Sequence, residues 1–140
     1  MRDLLRREGL EDVVEVDSAG IGGWHAGEPP DERAARTAAA RGVTLDGAAR
    51  QVARGDFERH DLLLAMDREN RDALLALAPD AAGREKVRLL REFDPEAVRS
   101  GDLDVPDPYY GGPRGFDRVL DLVEDACEGL LGALRADGRV

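Results

Sequence analysis

Five consecutive apolar residues, Leu62-Leu63-Leu64-Ala65-Met66, closed by Asp67 and followed by a segment of helical pattern, leave this chain few choices of fold. An apolar run without the alternation of a half-exposed strand reads as a strand covered on both faces. Arg68 to Ala78 then reads as a helix, with Leu74, Leu75 and Leu77 on its apolar side and Pro79 as its stop. Val87, Leu89 and Leu90 suggest a further strand. Strand, helix and strand in this order predict parallel strands joined by a right-handed crossover.

The flanking segments extend the pattern. Residues 1 to 8 look helical, with Met1, Leu4 and Leu5 on one face and Gly9 as a stop. Val13, Val14 and Val16 suggest a short strand ending at Asp17-Ser18-Ala19-Gly20. Asp31 can cap a surface helix from Glu32 to Arg41 that Gly42 closes, and Gln51 to Arg59 has room for one helical turn. Arg91 to Arg114 shows no sustained period and many turn formers, so it is expected to be a long loop. Phe116, Val119, Leu120, Val123, Cys127, Leu130, Leu131 and Leu134 fall at helical spacing and predict a long final helix. The sum is an α/β domain that lacks the opening strand such chains normally carry ahead of their first helix, together with the turn after it.

At 140 residues there is room for one domain, spanning 1–140. Charged residues make up 36% and no apolar run is long enough for a membrane span, so no membrane partner is expected. Thirty acidic residues against 20 basic ones give a net charge of -10, which argues against nucleic-acid binding. One cysteine cannot form an internal disulfide, and Met1 is followed by charged residues rather than an apolar signal, as in a cytoplasmic protein. Cys and His pairs with zinc spacing are missing, as is a glycine loop with a Lys for phosphates, so no metal or other cofactor is expected.

Chemistry is most concentrated at Asp107-Pro108-Tyr109-Tyr110-Gly111-Gly112. A carboxylic acid beside aromatic walls can donate a proton to a leaving group; the same string also fits a turn whose tyrosines pack back on the sheet. Trp24 and His25 sit in a second glycine-rich loop, either lining the same pocket or anchoring the loop. Ser18 lacks the glycine-flanked elbow of a serine nucleophile and is read as a hydrogen-bonding partner of a neighbouring loop. Cys127 lies on the apolar stripe of the last helix, which makes it a core residue rather than a nucleophile.

These segments together resemble the low-molecular-weight protein tyrosine phosphatases of bacterial type. The resemblance rests on Asp17-Ser18-Ala19-Gly20 with Gly23-Trp24-His25, on Ala49-Arg50-Gln51, and on Ala65-Met66-Asp67 with Asn70. It continues through Arg88-Leu89-Leu90-Arg91-Glu92-Phe93-Asp94-Pro95 and Asp107-Pro108-Tyr109-Tyr110-Gly111. It implies a four-stranded parallel sheet with helices on both faces, and metal-free hydrolysis of a phosphotyrosine protein or a small aryl phosphate through a phosphocysteine. By the same resemblance Asp107 matches the general acid and base. Tyr109, Tyr110 and Trp24 match the walls around the substrate ring, and Ser18 matches a residue that supports the phosphate-binding loop.

One departure is large. In the family the nucleophilic Cys and the Arg six residues later lie after the first strand, ahead of the helix that residues 1 to 8 match. About 20 residues of that strand, turn and helix start have no counterpart here, so the 140-residue chain is expected to be inactive. Two explanations compete: an active phosphatase whose start was assigned to an internal Met, and a pseudophosphatase that binds phosphotyrosine or protein partners. Where some relatives carry a histidine that supports the phosphate loop, this chain has Gly47-Ala48-Ala49-Arg50-Gln51. Arsenate reduction would need resolving cysteines that Cys127 alone does not supply.

Overall fold

The computed structural model describes residues 1–22, 27–29, 31–43, 50–106 and 114–140. In chain order these form α1 (Arg2–Arg7), α2 (Glu32–Ala40), α3 (Asp56–Arg59), β1 (Leu63–Ala65), α4 (Arg68–Leu77), α5 (Ala81–Glu85), β2 (Val87–Leu89), a 3-10 turn (Leu90–Phe93), α6 (Pro95–Ser100) and α7 (Gly115–Ala136). β1 and β2 pair in parallel, with Leu63 opposite Val87, Leu64 opposite Arg88 and Ala65 opposite Leu89.

Successive strand side chains point to opposite faces, and the two faces are covered differently. Leu63 and Ala65 pack with Val87, Leu89, Phe57 of α3 and Leu74 of α4. Leu62 and Leu64 meet Ala126, Cys127 and Leu130 of α7, with Met1 and Leu4 from the start of the chain beside them. The sheet is therefore the middle layer of an α/β domain, as the continuous apolar run around β1 requires. α7 follows the predicted stripe and buries Ala126, Cys127, Leu130 and Leu131. Gly129 lies where α7 crosses the 3-10 turn, and a Cβ there would fall on the backbone carbonyl of Phe93.

Helix boundaries follow local chemistry. The Asp31 carboxylate accepts from the amides of Arg33 and Ala34 to start α2, and Gly42, at φ +77°, sits just past its end. α2 is more than a surface helix: Ala38 is fully buried, and Arg41 donates to the carboxylates of Asp121 at 2.7 Å and Glu124 at 3.0 Å on α7.

Two expectations are corrected. Val13, Val14 and Val16 belong to no strand among the described residues. The amides of Val13 and Val14 both donate to the Leu10 carbonyl in a turn, and the Arg2 guanidinium takes the Val16 carbonyl at 2.8 Å, so these groups are already engaged away from a ladder. The stretch expected to be one long loop from Arg91 contains the rest of the 3-10 turn and α6. Asp94 caps α6 by accepting the Glu96 amide at 3.0 Å, Pro95 occupies its first turn, and Gly101 closes it at φ +78°.

Candidate active site

Ligands of parallel sheets gather outside the carboxyl ends of the strands. At that end of β1 the chain passes through Met66 into Asp67, whose carboxylate accepts the Asn70 amide at 2.7 Å and caps α4. The segment leaving α6 returns to this point. The Val105 amide donates to the Met66 carbonyl at 2.8 Å. The Asp104 carboxylate accepts the Arg68 amide at 2.9 Å, and the Arg68 guanidinium donates to the Gly101 carbonyl at 3.0 Å. Arg91, in the turn that follows β2, donates to the Asp104 carbonyl at 2.6 Å.

A second group forms around residues 17–20 and 50–60. Gly20 and Gln51 make a parallel bridge, in which the Gly20 amide donates to the Arg50 carbonyl and the Val52 amide to the Gly20 carbonyl, each at 2.8 Å. The Arg50 guanidinium donates to both carboxylate oxygens of Asp56, at 3.0 and 2.9 Å, and lies 3.0 Å from Asp17. Asp56 is buried on α3 and also accepts the Ala53 amide at 2.8 Å. The hydrogen bonds from Arg50 hold the Asp56 carboxyl below the ordinary carboxylate range, against the opposing effect of burial. The Asp17 carboxyl is lowered too, first by the Ser18 amide and then by the charge of Arg50. His60 Nε2 is 3.7 Å from Asp56 and has no hydrogen-bond partner among the described residues.

Of the residues singled out from sequence, Ser18 is exposed and its amide donates to Asp17 at 2.8 Å. Asp107, Tyr109, Tyr110, Trp24, His25 and the Gly47–Ala49 stretch lie outside the described residues. Cys127 is 5% exposed, and burial pushes its thiol pKa up, the opposite of what a nucleophile requires. Arg50 and Arg91 have no role legible in the sequence, because their partners, Asp17, Asp56 and Asp104, come from other segments. Among the described residues no cluster of His, Cys, Asp or Glu has the arrangement to hold a metal ion, and no helix is long and apolar enough to cross a membrane.

Residues 1–140 match the family model described as low molecular weight phosphotyrosine protein phosphatase. The chain is 54% identical over 127 residues to the low molecular weight protein-tyrosine-phosphatase of Streptomyces coelicolor, covering 91% of this chain and 77% of that protein. It is 41% identical over 138 residues to YfkJ of Bacillus subtilis, a protein of the same description, covering 97% and 84%. Its fold superposes on a crystal structure of a protein tyrosine phosphatase from Entamoeba histolytica with TM-score 0.88 at 33% identity, covering 99% of this chain and 86% of that one. The crystal structure of YfkJ gives 0.85 at 38% identity, covering 97% and 82%. With a family model matching residues 1–140 and relatives at these identities, the chain belongs to the low molecular weight phosphotyrosine protein phosphatases.

Proposed function

We propose that these residues serve hydrolysis of phosphotyrosine monoesters through a phosphocysteine, with Asp107 as the proton donor and acceptor. In the first step a thiolate attacks phosphorus, the P–O bond to the phenol breaks, and the Asp107 proton goes to the departing oxygen. In the second the Asp107 carboxylate takes a proton from water, the oxygen of that water attacks phosphorus, and the P–S bond breaks to restore the thiolate. Tyr109, Tyr110 and Trp24 form the walls around the aryl ring, and Ser18 supports the loop that binds the phosphoryl oxygens. What supports the reading is family membership across the chain, together with the tie between Val105 and Met66 two residues before Asp107.

The thiolate of this scheme is not Cys127. Its burial on α7 and its raised pKa are the observation that carries the second half of the proposal: residues 1–140 alone do not turn over aryl phosphates. A chain that also carries the family's Cys and Arg ahead of α1 does. The test compares the two purified forms with nitrophenyl phosphate and phosphotyrosine, before and after Cys127→Ser. Turnover only in the longer form, insensitive to Cys127→Ser, is the expected result. Turnover by the 140-residue form that Cys127→Ser abolishes would overturn the assignment of the nucleophile.

A further inference from the structure

We propose that Arg91 is a positioning residue that fixes the root of the segment carrying Asp107; the catalytic half of this proposal rests on the reading of Asp107 above. Arg91 is 6% exposed, a degree of burial uncommon for a guanidinium. It is sparsely satisfied there: it donates to the Asp104 carbonyl at 2.6 Å, its distance to the Asp102 carboxylate is 3.5 Å, and its Nε has no acceptor among the described residues. A buried charge with so few partners among the described residues is weak evidence for stability, since apolar side chains of similar volume often do as well or better. The geometry points to placement instead. The Asp104 carbonyl is held by Arg91, the Asp104 carboxylate by the Arg68 amide, and the next amide, that of Val105, by the Met66 carbonyl.

Asp104 and Val105 are thus fixed from the residue that follows β1, from the start of α4 and from the turn after β2, all at the carboxyl end of the sheet. Asp107 follows two residues later. An acid must stand within hydrogen-bond reach of the leaving oxygen, so freedom at its root lowers the fraction of time in which proton transfer occurs. Loss of Arg91 is therefore expected to slow reactions that need the proton and to spare those that do not.

The experiment has two arms. In the 140-residue chain, hydrogen exchange is followed at the amides of Arg68, of 102–106 and of α7 in the parent, Arg91→Met and Arg91→Lys. Exchange at the Val105 amide, which donates to the Met66 carbonyl, and at the Arg68 amide, which donates to the Asp104 carboxylate, is expected to rise about 10-fold or more in Arg91→Met with α7 unchanged, and less in Arg91→Lys, which keeps a donor. Equal acceleration everywhere, or none at Val105 and Arg68, would overturn the anchor. In the chain that also carries the family's Cys and Arg, Arg91→Met is expected to lower kcat for phosphotyrosine about 10-fold more than for nitrophenyl phosphate, with Arg91→Lys in between. Equal losses for both substrates would overturn the positioning of the acid. An inert parent in this second arm would instead overturn the proposed function and the catalytic half with it, while the exchange arm still decides the anchor.

Discussion

Arg50 grips Asp56 with both terminal nitrogens, at 3.0 and 2.9 Å, and Asp56 is the more deeply buried of the two, its side chain 6% exposed against 36% for Arg50. The asymmetry sets what each removal does. Taking away the arginine leaves a carboxylate in a place from which water is largely excluded, whereas the arginine alone still reaches solvent and Asp17. Because Asp17 precedes Ser18 and Gly20 bridges to Gln51, the pair also joins the 17–20 segment to α3.

Arg50→Met is accordingly expected to destabilise the chain. Breaking a buried pair costs about 3–5 kcal/mol, and the exposure of Arg50 reduces this to about 1–3 kcal/mol. For a domain of this size the melting temperature falls by about 3–10 °C. Thermal melts at neutral pH check it, and an unchanged midpoint would show that the pair contributes nothing net.

The same pair predicts an acid limb. Asp56 and Asp17 titrate below the ordinary value of 3.8 in the folded chain. They therefore contribute stability that is fully present above that value and is lost as pH falls through their folded values. The gap in melting temperature between the parent and Arg50→Met should be widest near neutrality and should close below about pH 4. A gap that persists unchanged into strong acid would mean that Arg50 acts through packing alone.

With Asp107 as the acid, Asp107→Asn in a chain carrying the family's Cys and Arg slows phosphoenzyme formation most for poor leaving groups. General acid catalysis is worth about 100-fold to 10,000-fold, so the loss for a tyrosine-like phenol should lie in that range and be far smaller for nitrophenol. Single-turnover rates plotted against leaving-group pKa decide it. A steeper line in the variant supports the role, and parallel lines reject it.

Gly129 and Gly132 make a controlled comparison on one helix. A Cβ at 129 collides with the Phe93 carbonyl, whereas a Cβ at 132 meets nothing within 4 Å. Gly129→Ala should cost about 1–3 kcal/mol through overpacking. Gly132→Ala should instead gain up to about 1 kcal/mol from helix propensity. Denaturant midpoints of the two variants should move in opposite directions, and a shared direction would contradict the contact.

Much of the fold was legible where one local rule sufficed. The apolar stripe of α7, the Asp31 and Gly42 boundaries of α2, and the run around β1 each follow from neighbours in sequence. α5 was missed because its five residues are too few to display a period. α6 was hidden by its own punctuation: Pro95 and Gly101 read as turn formers, yet with Asp94 they are the start and stop signals of a helix. Val13, Val14 and Val16 show the reverse error, since β-branched residues announce a strand only where their amides find a neighbouring strand. Asp107, Tyr109, Tyr110 and Trp24 gained their roles from resemblance, since their sequence shows no periodicity from which to derive them. Arg50 and Arg91 were beyond local reading because each acts on residues brought near by the fold.

The glycine at 129 has a consequence for how mutational data on this domain would be interpreted. The 3-10 turn that it presses also carries Arg91, so the last helix sets the seat of a side chain that holds the Asp104 carbonyl. With Asp107 as the acid, a screen scoring turnover alone would rank Gly129 beside it and mark a helix position without functional groups as catalytic. Pairing each activity score with a measure of how much folded protein survives would return that signal to its mechanical origin.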